Sequence, residues 1–421
     1  MKSIRVEFIA LSDSQGFLIE SDKDISEFVK DLLLVFANKI DRDNFKANIN
    51  MLQQNSADLG IAIGAIIDKY QTATLKIHQL RSYLKKLNED EPFFFIVNTD
   101  LTKEQRSQFY DYLFAQDHNM DLETYSSQIN SLFGELKRTY EIYAFDESTK
   151  SRIGERIKSQ RVCRFCGKAN GEVTFKNAAH SISQALGNKK IITNDECDSC
   201  NARLGTVIEQ DLIHYLDLYR NFFKVKGKRG VPKLKGKNFE MEHKERLEIS
   251  HFLTEEEMND PDRDPFKFRV DTSEKIATQN IYRALVKYAL SVIDRDLIPH
   301  FRETISWING ATSAEELPRV AVLTTYGSFA AHPKLALYVR KTEDQALPYA
   351  VAEFRFTFLT FAYIIPMTSK DSTMFVKPVE FDHFWQFFKH YSSLTDWKFQ
   401  QMNGEDKKPF TINLNFQVNQ S

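Results

Sequence analysis

The chain has 421 residues, 42% of them hydrophobic and 13% aromatic, which excludes a disordered polypeptide and supplies cores for two or three domains. Its formal net charge of −2 excludes a globally basic nucleic-acid binder, so any such binding must rest on a local patch. No run of about 18 apolar residues is long enough for a membrane span.

Residues 4–10 read as a strand, and residues 1–17 lack the long apolar core of a secretory signal. Ile25, Phe28, Val29, Leu32, Leu33 and Phe36 recur at three and four residues, which predicts a helix capped by Asp24 or Ser21. One long helix is expected over 56–87, carrying Ile61, Ile63, Ile66, Ile67, Leu75, Leu80 and Leu84, and ending before Glu91 and Pro92. Residues 93–97 read as a buried strand. Helices over 102–115 and 121–143 complete a mainly helical N-terminal domain, residues 1–150, without a catalytic motif.

Residues 148–160 read as a linker or lead-in helix. Two C-x-x-C knuckles follow, Cys163 with Cys166 and Cys197 with Cys200, and these are all the cysteines of the chain. Four thiolates in two such pairs can enclose one tetrahedral Zn²⁺, and nothing else in the chain competes for them. Cysteines confined to metal knuckles suit a reducing compartment, so a cytoplasmic location is expected. Gly167 supplies the tight turn of the first knuckle. Between the knuckles, 171–175 reads as a strand, 181–186 as a helix or loop, and 191–194 leads into the second pair. Residues 201–218 look helical. The zinc needs no fifth ligand, which leaves His180, Asn194 and Asn201 for other work.

Beyond the module, residues 224–237 hold Lys224, Lys226, Lys228, Arg229, Lys233, Lys235 and Lys237 and no acid, a candidate nucleic-acid-binding run. Residues 254–265 are acidic and read as a surface loop. A helix over 279–293 follows. From 318 onward the period becomes two, with strands over 320–325, 335–339, 350–365 and 410–418 and a helix near 381–394. The whole is an α+β multidomain chain: the helical region 1–150, a zinc-stapled module over 151–240, and a C-terminal helix-plus-antiparallel-sheet domain over 241–421 suited to sensing or oligomerisation.

The knuckles, together with Ala179, His180 and the stretch to Asn188, Thr193 with Asn194, and Asn201 directly after Cys200, resemble the HNH endonuclease family with its ββα-metal fold, in the branch with two zinc knuckles. The likeness spans about 45–60 residues; Trp307 and the segment 282–290 also look like the region that follows the motif in longer members. The resemblance implies a metal-dependent nuclease acting on phosphodiester bonds, with DNA as the expected substrate. It implies His180 as the general base, Asn194 as the residue that orients the His180 loop, and Asn201 as a ligand of catalytic Mg²⁺ or Mn²⁺, beside one structural Zn²⁺. It also suggests an effector of defence against phage or plasmids, gated by a regulatory partner or by self-association through the flanking domains.

One departure stands out. Relatives often carry Asp or Glu immediately before the catalytic His, and this chain has Ala179. Either Asn201, phosphate and water hold the ion, or Asp195, Glu196 or Glu209 substitutes, or catalysis is weakened or lost. The last option leaves a second reading, a zinc-knuckle module that binds nucleic acid or protein without cutting.

Overall fold

The computed structural model describes residues 3–41, 46–71, 77–147, 150–253, 255–261, 264, 267–325 and 327–415. The chain divides into two compact units, Met1–Ser131 and Leu132–Ser421.

The first unit is built on a four-stranded antiparallel sheet in the order β2-β1-β6-β5, from β1 (Ser3–Ala10), β2 (Ser14–Glu20), β5 (Leu52–Gln54) and β6 (Pro92–Val97). Alternation along the strands splits their side chains between two cores. Val6, Phe8, Phe93 and Phe95 face the helices α1 (Ser26–Val35), α2 (Ala57–Tyr70) and α3 (His78–Leu84), while Ile9, Phe94 and Ile96 meet Leu113 of α4 (Lys103–Asp117). A hairpin of β3 (Ala37–Asp41) and β4 (Lys46–Ile49) completes the unit, and α5 (Leu122–Thr139) leads out of it.

Several expectations change here. The predicted helix over 56–87 is two helices, and residues 72–76 between them lie outside the described part. Ser56 caps α2 through its hydroxyl, and Thr102 with Gln105 forms a capping box on α4. Neither Asp24 nor Ser21 is the cap of α1: that position is Ile25, and Asp24 instead accepts the backbone N–H of Ser26 at 3.0 Å. The helix predicted to reach 143 stops at Thr139, because its next residues join a sheet.

That sheet organises the second unit. Six antiparallel strands run in the order β19-β15-β18-β17-β16-β7. They are β7 (Tyr140–Phe145), β15 (Val320–Thr324), β16 (Ala330–Arg340), β17 (Ala350–Thr357), β18 (Leu359–Ile364) and β19 (Lys398–Gln400). The single strand predicted over 350–365 is thus a hairpin. One face, with Leu323, Tyr338 and Val351, packs on α11 (Pro378–Phe387), α12 (Lys389–Ser392) and Leu136 of α5. The other face, with Leu337, Ala352 and Phe361, packs on α9 (Thr278–Val292), which buries every residue except Thr278 and Arg283. Trp307, on α10 (Arg302–Ile308), is fully buried and donates its indole N–H to Gln279, so it serves this core.

The cysteine segment belongs to the same core: Cys163, Phe165, Cys197 and Leu204 cluster with α9 and the sheet. Its elements are β8 (Ser151–Ile153), β9 (Ala179–His180), β10 (Ile191–Thr193), α6 (Asp198–Val207) and α7 (Glu209–Phe222). Residues 151–153, expected as linker or helix, form β8, parallel to β10. The strand expected over 171–175 reduces to a single bridge between Val173 and Asn170. The helix expected over 201–218 is two helices that meet at Ile208. Further on come the strands β11 (Leu234–Lys235), β12 (Phe239–His243) and β13 (Leu247–His251), then α8 (Glu255–Asn259), β14 (Lys267–Ile276) and β20 (Lys408–Asn415). Of the acidic stretch 254–265, residues 255–259 are helical, whereas 254, 262, 263 and 265 lie outside the described part, as do 416–418 of the last predicted strand.

Candidate metal centre and active site

The four cysteine sulfurs lie within 4.8 Å of one another. Gly167 adopts a left-handed φ of +71° that closes the first knuckle, and the Gly167 N–H donates to the Cys163 carbonyl at 2.8 Å. The second knuckle forms the start of α6: Cys197 is its cap, and the Cys197 sulfur accepts the backbone N–H of Cys200 at 3.4 Å. The Cys163 sulfur accepts the N–H of Cys197 at 3.4 Å, tying the two knuckles together. The Cys200 thiol lowers Cys163 to about 5, while burial pushes Cys197 up to about 11 and the hydrogen bond to Cys163 raises Cys200, so the four sulfurs share their protons around the Cys163 thiolate. Four soft donors at this spacing fit a tetrahedral Zn²⁺.

Arg164 locks this centre to the body of the protein. Its buried guanidinium donates to the Leu290 carbonyl at 2.6 Å and approaches the Asp195 carboxylate at 3.5 Å. Asp195 also accepts the Glu155 N–H at 2.8 Å. With both oxygens engaged and the side chain buried, Asp195 acts as an internal brace.

His180 is the last residue of β9 and pairs across the hairpin with Ile192, while Ala179 pairs with Thr193. The hairpin is held from behind: the Ser181 and Thr193 hydroxyls are 2.7 Å apart, and Thr193 donates to the Ser291 carbonyl of α9. Asn188 closes the intervening loop by donating to the carbonyls of Ile182 and Ile191. Glu147 accepts the N–H groups of Lys189 and Lys190 at 2.7 and 2.8 Å. His180 itself is half-buried, and its Nδ1 is buried without a hydrogen-bond partner. Desolvation lowers its imidazole below the ordinary 6.5, assisted by Lys287 and opposed by Glu147 and Glu209. The ring is therefore neutral at pH 7.

Asn194 follows β10 directly, is buried, and donates its backbone N–H to the Ile153 carbonyl of β8. Asn201 lies in the first turn of α6 and is half-buried; its N–H donates to the Cys197 carbonyl at 2.9 Å. Asn201 does not cap that helix, since Cys197 does. Its side chain makes no hydrogen bond among the described residues. The order is hairpin then helix, with His180 on the first strand, Asn194 at the end of the second and Asn201 at the helix start.

Beneath the module sits a buried charge cluster that the sequence pattern does not reveal. Lys287, on α9, is fully buried, with its ammonium 3.1 Å from Glu196 and 2.9 Å from Glu209. Burial pushes the Glu196 carboxyl up to about 7 despite the ammonium beside it. Glu196 precedes the second knuckle and Glu209 opens α7, so Lys287 pins both elements to α9. A lysine inside a helix as apolar as 279–293 was the available signal, but its acidic partners are 91 and 78 residues away in sequence and cannot be paired by pattern.

Of the basic run, all seven cations are exposed. Lys233 pairs with Glu240 at 2.9 Å and Lys235 with the same residue at 3.4 Å, which offsets their charge. Lys224, Lys226, Lys228, Arg229 and Lys237 form no ion pair among the described residues.

The sequence model of the HNH endonuclease family matches residues 163–216, the span from the first knuckle into α7. No curated protein and no solved structure matches the chain. No helix among the described residues is long and apolar enough to cross a membrane. The segment 163–216 thus matches the HNH endonuclease family, and it carries four clustered cysteines that could hold a zinc ion, as in the zinc-knuckle branch of that family.

Proposed function

We propose that this protein is a metal-dependent endonuclease that hydrolyses phosphodiester bonds, with DNA as its substrate. The observation that carries the reading is His180: a desolvated, neutral imidazole on the hairpin of a nuclease-family domain, with one ring nitrogen left without a partner. A neutral imidazole accepts the proton of an attacking water at pH 7. Asn194 fixes the end of β10, the strand that pairs with the His180 backbone, and so orients the base. A bound Mg²⁺ or Mn²⁺ would stabilise charge on the phosphate and on the departing oxygen. Asn201 offers a carbonyl oxygen of the hard type such ions prefer, and its side chain has no competing hydrogen bond. The four cysteines hold zinc as a structural staple.

Among the acids considered as replacements at the position of Ala179, Asp195 is engaged with Arg164 and Glu155, and Glu196 is enclosed with Lys287. Glu209 is the one whose charge reaches His180, though it too is paired with Lys287. The ion is therefore read as held by Asn201, substrate phosphate and water. The flanking regions are large enough to gate such a domain, which supports a regulated cytoplasmic effector against phage or plasmids, controlled by a partner protein or by self-association. Ala179 favours the second reading, a binding module without catalysis.

The test is incubation of the purified full chain with covalently closed plasmid and with Mg²⁺ or Mn²⁺. Conversion to nicked or linear forms that depends on the ion supports the endonuclease. Intact plasmid with both ions, from protein that holds its zinc, favours the binding module.

A further inference from the structure

Glu147 lies upstream of the family match over 163–216, between β7 and β8 in the chain. It is buried, and one carboxylate oxygen, Oε1, accepts two successive backbone N–H groups, from Lys189 at 2.7 Å and Lys190 at 2.8 Å. Those residues lead into β10, where Ile192 is the cross-strand partner of His180. The Lys190 carbonyl in turn accepts the Ser151 N–H at 3.1 Å, at the start of the parallel pairing of β8 with β10. Hydrogen bonds to an ionised acceptor are stronger than neutral ones. Glu147 thus fixes the loop end of the hairpin on which the imidazole is mounted.

Three charges act on the half-buried imidazole, each from a different element: Glu147, Lys287 of α9, and Glu209 at the start of α7. Lys287 and Glu209 are paired with each other at 2.9 Å, and Glu196 shares the same ammonium. Glu147 forms no ion pair among the described residues, and its hydrogen bonds there all fall on Oε1. Of the three charges, its own is the one that no cation offsets.

A base that takes a proton becomes a cation. In a partly desolvated place near an ammonium, a second cation is unfavourable. An uncompensated carboxylate within range of the ring lowers that cost.

We infer that Glu147 is a positioning residue for His180: it clamps the hairpin that carries the ring and balances the imidazolium formed when the ring takes a proton from the attacking water. No hydrogen bond joins the two side chains among the described residues, and the His180 Nδ1 has no partner, so the balance acts through space. The inference rests on the nuclease reading for the reaction that uses the proton, whereas the effect on the ring can be read without cleavage.

The experiment is an NMR titration of the full chain as purified, labelled with carbon-13 at its histidines and free of Mg²⁺ and Mn²⁺. The His180 signal is assigned from its loss in His180→Ala. Glu147→Gln keeps an oxygen for both N–H groups and removes only the charge. Its His180 midpoint moves to lower pH than in wild type, because the protonated ring no longer has a carboxylate to balance it. Its melting temperature stays at the wild-type value. The acid limb of its plasmid-cleavage profile moves in the same direction, with kcat about three- to tenfold lower and KM unchanged. Glu147→Ala also leaves the two N–H groups without their acceptor, and it lowers the melting temperature as well. An unmoved His180 midpoint in Glu147→Gln overturns the inference, and so does a wild-type cleavage profile in that variant. If wild type leaves plasmid intact while the midpoint still moves, the nuclease reading fails and Glu147 retains its hold on the ring.

Discussion

Lys287 and Glu209 meet in the interior of the second unit, with Nζ 2.9 Å from Oε1 and none of the lysine side chain exposed. Glu196 approaches the same ammonium at 3.1 Å, so one cation serves two carboxylates. This cluster joins the second knuckle and the start of α7 to α9, and its charge reaches His180.

Lys287→Met leaves two acids in the core without their cation. Removing one partner of a buried ion pair costs about 3–5 kcal/mol. Denaturant unfolding is expected to show a loss of that order, and adding Glu196→Gln and Glu209→Gln to the variant should restore part of it. Wild-type stability in the single variant would remove the cluster from the account.

The purified protein is expected to hold about one zinc per chain, measured by elemental analysis. Cys197→Ser removes a thiolate donor, while the serine hydroxyl can still accept the Cys200 N–H that caps α6. In an isolated finger, zinc contributes about 10–16 kcal/mol to folding. Here Cys163, Phe165 and Cys197 share a core with α9, so the loss should be smaller, yet still large enough to lower the melting temperature and release the metal. Zinc-free protein that melts like wild type would contradict this assignment.

His180 also sets a pH dependence. Burial lowers its folded pKa below 6.5, so as pH falls the unfolded chain takes up the proton first. Its contribution therefore destabilises the fold progressively below about 6.5 and is absent above it. Cleavage should keep its full rate down to that pH and decline only below it. A rate that declines already above pH 7 would point to a different base.

Asn201→Ala is expected to cripple cleavage and to recover partly at high Mn²⁺, because it removes an oxygen donor and not the base. Titrating activity against Mn²⁺ reads the shift directly. A loss that no ion concentration relieves would assign Asn201 a role in folding α6.

The parts of the fold that were legible in sequence are those with local causes. Alternation marked β1 and β15, the three-and-four spacing marked α1 and α9, and two C-x-x-C pairs marked the metal cluster. What escaped depends on distant partners. Residues 140–143 read as the end of a helix, yet they belong to β7 because the β16 edge pairs with them. The linker reading of 151–153 failed for the same reason, since β10 supplies its hydrogen bonds. Lys287 looked like one polar residue in a core helix. Only the fold shows that Glu196 and Glu209 converge on it.

The central claim is that His180 is the base of a phosphodiester hydrolysis, and the direct measurement compares plasmid cleavage by wild type and His180→Ala at saturating Mg²⁺ or Mn²⁺. Loss of a general base costs about 10²–10⁴ in rate. The account predicts a loss of that size in a variant that keeps its zinc and its melting temperature. A His180→Ala protein that cuts as fast as wild type would contradict it.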